Sequence, residues 1–268
     1  VNGGVRIRTE RGDGGRTRVV ELSASAPLGA KVTGPHEIHL IGTAAAPLDG
    51  DVVTIDIEVG DHTRLTIGTV AATMAWPARG EVGPSVMIVR ATVGDGAVLR
   101  WLPEQLVPVR GCRHLLRCDV QLAATASVLW REEVMLGRAG EPPGMLDAEL
   151  RVVRAGTPLL HQQLRLDGTN PAVHGAPSLL GDARAVGSLL VAGPGVPEHL
   201  ACDADAALRG AVLELEAGGR LASATATSAA TLRRWLDARL EGLTPPQARA
   251  AAATSAPPRP DAQEILSR

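Results

Sequence analysis

The chain contains no phenylalanine and no tyrosine, and its only aromatic side chains are four tryptophans. Stacking platforms for bases are therefore scarce, and the core has to be built from Val, Leu, Ile and Ala. An excess of positive charge is also missing. With 27 Lys+Arg against 29 Asp+Glu, nothing supplies the counterion release that drives binding along a phosphate backbone. Both absences argue against a nucleic-acid partner. Lysine is reduced to Lys31, set in Gly29-Ala30-Lys31-Val32, which is not the Gly-rich loop ending in Lys-Ser/Thr that cradles nucleotide phosphates. The other basic residues are arginines; a parallel surplus of Ala and Gly assigns this to GC-rich coding rather than to an arginine-specific interface.

Cys112, Cys118 and Cys202 are odd in number and widely spaced, so they frame no disulfide scaffold. The Gly-x-Ser-x-Gly elbow, the His-Glu-x-x-His pair and Cys-x-x-Cys are all absent. No apolar run approaches the roughly 18 residues of a membrane helix. Residues 1–22 alternate charges and glycines where a secretory signal needs an apolar stretch. The expectation is a cytoplasmic protein without a membrane span, for which an enzymatic reading starts weak.

What is present is alternation. Val53, Ile55, Ile57 and Val59 fall on one face and Thr54, Asp56 and Glu58 on the other, the pattern of a half-buried strand. After the turn at Gly60-Asp61, Leu65, Ile67 and Thr69 resume it, as the second arm of a hairpin does. The shape recurs around Gly94-Asp95-Gly96, Ala123-Ala124-Thr125, Ala155-Gly156 and Ala217-Gly218-Gly219. Its spacing is too irregular for a fixed-period repeat. A mostly β fold is predicted, an elongated stack of antiparallel β-hairpins and sheets with about two helices near the C-terminus.

The better signalled helix starts at Ser228 as N-cap, carries the stripe Leu232, Trp235, Leu236 and Leu240, and ends at Gly242 before Pro245-Pro246. A weaker one spans Glu198 to Arg209. Residues 1–243 are expected to form a single β-rich domain. Residues 244–268 form a Pro/Ala-rich tail that cannot bury enough apolar area to offset ordering, and disorder is expected there.

Two clusters invite a metal reading. Cys112, His114 and Cys118 share one face of a strand, but that face continues through Leu116, Val120 and Leu122, which favours small core residues over ligands. His36 and His39 fall on opposite faces of a strand and cannot chelate together.

From Leu48 onward several blocks occur in an order that resembles the UreD/UreH family of urease accessory proteins. Ala46-Pro47-Leu48-Asp49-Gly50-Asp51 precedes a strand. Thr69-Val70-Ala71-Ala72-Thr73-Met74-Ala75-Trp76 answers the family's Thr-x-Ala-Ala-Thr/Ser-Lys-x-Tyr, and Arg100-Trp101-Leu102-Pro103-Glu104-Gln105 its Glu-Trp-Leu-Pro-Gln-Glu/Asp. Glu132, Gly137-Arg138, Gly140-Glu141 and Gly144 follow. Met74, Trp76 and Arg100 replace the family's Lys, Tyr and Glu, and Glu104-Gln105 reverses its order.

The resemblance implies a non-catalytic scaffold, a stack of β-sheets with a few helices. It would dock on apo-urease and recruit UreF-type and UreG-type partners so that nickel reaches the urease centre. No tightly bound cofactor is implied, only transient Ni2+. An ion that must move on is better served by carboxylates, water and carbonyls than by a thiolate cage. The acids at or beside the family's positions are Asp51, Glu132, Glu141 and Glu104. Glu132 is the strongest of them because it sits between Val128-Leu129-Trp130 and Val134-Met135-Leu136, whereas Glu133 is expected to face solvent. Thr69, Ala71, Ala72, Thr73, Trp76, Trp101, Pro103, Gly137 and Arg138 are the partner-binding or structural positions, and Trp101 is weighed as a rim anchor. Two alternatives stay open: a β-rich interaction module with an unrelated client, and a hydrolase using Cys112 or Cys118.

Overall fold

The computed structural model describes residues 1–80, 82–170, 175–176, 179–194 and 207–241. Two sheets face each other. Sheet A has seven strands in the order β14 (Thr157–Leu166), β13 (Met145–Arg154), β11 (Arg113–Leu122), β8 (Ser85–Val93), β5 (Val52–Val59), β1 (Asn2–Arg11) and β2 (Thr17–Ala24). Sheet B runs β16 (Leu208–Leu215), β17 (Gly219–Ala226), β15 (Ala185–Ala192), β12 (Ser127–Met135), β9 (Val98–Leu102), β6 (Arg64–Thr69), β4 (Glu37–Gly42) and β3 (Leu28–Gly34). Two short strands, β7 (Thr73–Ala75) and β10 (Leu106–Pro108), pair with each other, and β10 also meets β12.

The mostly β expectation holds, but three of the five predicted hairpins are something else. Along β5 the burial alternates as the sequence indicates, yet β5 pairs in parallel with β1 and β8, while β6 lies in the opposite sheet beside β4 and β9. The turns after β5, β8 and β11 each carry the chain across from sheet A to sheet B. Successive crossings stack, so Ile55, Val89, Cys118 and Leu150 stand side by side, in a solenoid-like arrangement with unequal sequence intervals. Of the five, β13–β14 and β16–β17 are antiparallel hairpins, and β1–β2 and β3–β4 are two more that the pattern did not mark. Alternation cannot separate the two outcomes, because both arms bury one apolar face whether they pair with each other or pack across a core.

The crossing turns are held together by their own polar groups. Asp61 Oδ1 accepts from Asp95 N at 2.9 Å, and Asp95 Oδ1 accepts from Thr125 Oγ1 at 2.8 Å. Gly96 takes φ +62, a left-handed conformation suited to glycine; a Cβ there would meet the His62 ring at 2.4 Å.

Among the described residues there is one α-helix, α1 (Ala229–Glu241). Ser228 caps it as predicted, accepting from Thr231 N at 3.1 Å. Leu232, Trp235, Leu236 and Leu240 pack on Leu189, Ala222 and Ala224 of the outer face of sheet B, where small residues permit close approach. The weaker helix forecast from Glu198 falls mostly on 195–206, outside the described residues, and its last two positions, Leu208 and Arg209, open β16 instead. The 244–268 tail also lies outside them.

Candidate functional site

Strand alternation fills the space between the sheets with two kinds of side chain. Near the crossing turns the core is dry: Val59, Val93 and Leu122 from sheet A meet Leu65, Leu99 and Val128 from sheet B. At the opposite end, next to β7 and β10, the sheets part around a cavity of about 660 Å³. That volume is in the range of sites that admit a small ligand or several waters. Val53, Met87, Leu116 and Ala148 line its sheet A wall, but the sheet B wall carries Glu132, Ser188 and Ser223.

Glu132 is the centre of this polar row. Register places it beside Ser188, which in turn stands beside Ser223. Trp130, two positions earlier on the same inner face, donates its indole Nε1–H to Glu132 Oε1 at 3.0 Å. From the facing sheet the Cys118 thiol also lines the cavity against this carboxyl group. Gln162 reaches in from β14 and donates to Ser188 Oγ at 3.5 Å, while its Oε1 is buried without a partner. Burial pushes the Glu132 carboxyl above the ordinary range, and Trp130 and Cys118 pull it back. The arrangement offers one acid, one amide oxygen and hydroxyls along a roomy polar wall. Such oxygen donors hold a cation loosely.

The other predicted residues divide. Glu104 lines the cavity, as do Thr69, Ala71, Ala72, Thr73, Trp76, Trp101 and Pro103. The Thr69–Thr73 stretch forms part of its wall, with Thr69 Oγ1 accepting from Glu104 N at 2.9 Å. Trp101 is no rim anchor: it is buried and stacks on Trp130 with ring centroids 5.2 Å apart. Asp51 and Glu141 are outside the cavity lining. Asp51 is buried at the entry to β5, where its carboxylate accepts from Leu48 N at 2.9 Å and pairs with the amino group of Val1. Glu141 braces a loop with Gly137 and Arg138, accepting from Arg138 Nε and Nη2 at 2.9 and 3.0 Å. Arg138 in turn lies over the Trp76 ring at 5.3 Å. These hydrogen bonds hold the Glu141 carboxyl down at about 2.

Glu133 corrects the expectation that it is solvated. Its side chain is fully covered, between Arg131 Nε at 3.0 Å and Arg233 Nε at 2.5 Å. The outer face of sheet B is roofed by α1, so the rule that one strand face meets water fails here. Gln162, Ser188 and Ser223 went unread because no local pattern marks them; only the register of strands far apart in sequence brings them to Glu132.

Cys112, His114 and Cys118 do not converge, and among the described residues no three His, Cys, Asp or Glu side chains cluster as a metal cage. Cys112 packs under Gly144, His114 Nδ1 meets Ser85 Oγ at 2.8 Å, and Cys118 faces the cavity. Burial raises both thiols, Cys112 to about 12, the reverse of what activates a nucleophile.

The sequence profile of the UreD urease accessory protein family matches residues 1–260. The chain is 42% identical over 257 residues to the urease accessory protein UreD of Parafrankia sp. (strain EAN1pec), spanning 86% of this chain and 85% of that protein. It is 40% identical over 272 residues to the UreD of Frankia alni, spanning 87% and 90%. With the UreD of Streptomyces coelicolor the identity is 37% over 251 residues, spanning 91% and 98%.

Proposed function

The chain belongs to the UreD family of urease accessory proteins, and on that premise we propose that it serves urease maturation as a non-catalytic scaffold whose inter-sheet cavity passes nickel. In this reading it docks on apo-urease and recruits UreF-type and UreG-type partners. Ni2+ is its cargo and not a resident cofactor. The observation that carries the reading is Glu132. A half-buried carboxyl group lines a cavity between the two sheets, in a row with Ser188, Ser223 and Gln162. Burial of an acid without a cationic partner costs free energy, and an ion or water passing along that row offsets it.

Glu104 stands at the cavity's edge and is the second passage residue. Asp51 and Glu141 have their carboxylates engaged by backbone amides and local cations, and their role is to brace the entry of β5 and the Gly137 loop. The raised thiols support the non-catalytic reading over a cysteine hydrolase.

Co-expression with urease and its other accessory proteins tests the proposal. Glu132→Ala is expected to reduce the nickel content of urease while the variant still co-purifies with its partners. Full metallation with Glu132→Ala would remove the passage role, and full metallation without the chain at all would end the scaffold reading.

A further inference from the structure

Sheet B is interrupted beside Glu132. On one side of β12 the pairing with β15 is continuous from Val128 to Met135. On the other side, pairing with β9 stops at Trp130–Trp101 and resumes only at Val134–Leu106 on β10. Pro103 has no N–H for a ladder, and the chain from Pro103 to Gln105 swings toward β6 and β7: Glu104 N donates to Thr69 Oγ1 and Gln105 O accepts from Thr73 N. Arg131, Glu132 and Glu133 therefore border a gap in the sheet. Glu132 points to the inner side and Glu133 to the outer, and both line the same cavity. The cavity wall thus includes the gap, and on the outer side the gap is closed by contacts between the covered Glu133 side chain and α1.

On that side two side chains span the gap: Arg131 donates Nη2 to Pro103 O at 3.4 Å, and Arg233 bridges the two carboxylates. Arg233 of α1 donates Nε to Glu133 Oε1 at 2.5 Å, and Nη1 and Nη2 to the two Glu104 oxygens at 3.0 and 3.1 Å. The guanidinium sits between two carboxylates, one fully covered and one about one-third exposed, in the position a cation crossing the gap would occupy. Asp237, one turn further along α1, holds Arg131 at 2.7 Å beside it.

We propose that this gap is a second, cation-selective mouth of the cavity, closed by Arg233 as a latch that exchanges its place between Glu104 and Glu133 with the passing ion. The existence of the mouth rests on the strand geometry alone. That its cargo is a divalent metal ion rests on the passage reading above.

The native thiol of Cys118, inside the cavity against Glu132, reports on access. The full-length protein is treated with a cationic and an anionic methanethiosulfonate of matched size, and labelling rates are read at each cysteine by mass spectrometry. In Arg233→Gln the cationic reagent is expected to reach Cys118 about tenfold faster than in the unaltered protein, with a smaller gain for the anionic one, since unmasked carboxylates concentrate positive charge. Cys112 should be unaffected and Arg233→Lys should stay near the unaltered rate. Glu104→Gln, which loosens only the exposed lip, gives a smaller gain and guards against a misfolded Arg233 variant. Unchanged Cys118 labelling in both Arg233→Gln and Glu104→Gln overturns the mouth. So does equal gain for both reagents, or a parallel rise at Cys112, each of which reports general loosening. Faster Cys118 labelling with unaltered urease metallation keeps the mouth and removes the metal as its cargo.

Discussion

Trp130 and Glu132 share the inner face of β12, and the indole N–H of the first fixes the carboxyl of the second at 3.0 Å. Trp130 is fixed in turn by its stack on Trp101, its register partner across β9. The aromatic pair therefore closes the packed part of the core and orients the acid at the edge of the cavity. A chain with four aromatic side chains spends two of them here.

The first prediction concerns that contact. Trp130→Phe keeps an aromatic face for Trp101 but removes the donor, and a loss of about 1–2 kcal/mol in urea unfolding is expected from one hydrogen bond and a poorer stack. Trp130→Phe and Glu132→Ala together should fall short of additivity, because each removes the same bond. Additive losses would show that the indole does not hold the carboxyl.

A second prediction follows from the direction in which burial moves Glu132. An acid whose carboxyl is raised on folding weakens the folded state once it is ionised, and that penalty fades as pH falls through the raised value toward that of the unfolded chain. Glu132→Gln is therefore expected to be at least as stable as the unaltered protein at pH 8, with its advantage shrinking on acidification. Thermal melts across that range check it; a variant clearly less stable at pH 8 contradicts the assignment. Loss of nickel delivery in a variant that is no less stable would separate function from folding.

Much of the strand content was legible because β5 alternates throughout between apolar and polar residues, as do the later halves of β8 and β11. The Ser228 cap and the Leu232–Leu240 stripe were legible for the same reason, since both are local. Pairing was not. The segments around Gly60-Asp61 and Gly94-Asp95 have the composition of hairpin turns, and the contacts that join one crossing turn to the next, Asp61 to Asp95 and Asp95 to Thr125, are made between residues about thirty apart in sequence. Glu132 could be picked from its apolar neighbours, but Glu133 could not be placed, because its burial is set by a helix a hundred residues away in sequence. The Glu104–Arg233–Glu133 arrangement is a long-range fact of the same kind.

His114 supplies a third prediction, in acid. Its ring is buried, Nδ1 meets Ser85 Oγ at 2.8 Å, and Nε2 has no partner. Ser85 Oγ donates to Arg113 O at 3.3 Å, which leaves it to accept from Nδ1–H. Burial lowers its pKa from 6.5 to about 4. Between those values the unfolded chain takes up a proton that the folded chain does not, so stability falls as pH drops through that window, by an amount on the order of 3 kcal/mol if the full shift applies. His114→Gln retains an amide that can donate to Ser85 and carries no titrating group. Its stability between pH 7 and pH 4 should decline less steeply than that of the unaltered protein, whatever its absolute value. Parallel curves would show that His114 is protonated as easily in the fold as outside it.

The loop that joins Gly137, Arg138, Glu141 and Trp76 gives the last prediction. Gly137 has φ +79, and a Cβ there would stand 2.7 Å from Pro142 O and 2.8 Å from Glu141 O. Both atoms are backbone, so the loop itself must shift to admit a methyl group. Gly137→Ala is expected to cost about 1–3 kcal/mol from the left-handed backbone and the clash together. The shift would carry Glu141 away from Arg138 and Arg138 away from Trp76, releasing the brace as a unit. Glu141→Gln breaks the same charge-assisted pair without touching the backbone, and should be milder because Arg138 is half exposed and its pair is screened. If the two variants were equally destabilised, the ion pair and not the glycine would be holding the loop. If Gly137→Ala were neutral, the close approach of Pro142 would not be a constraint on this fold.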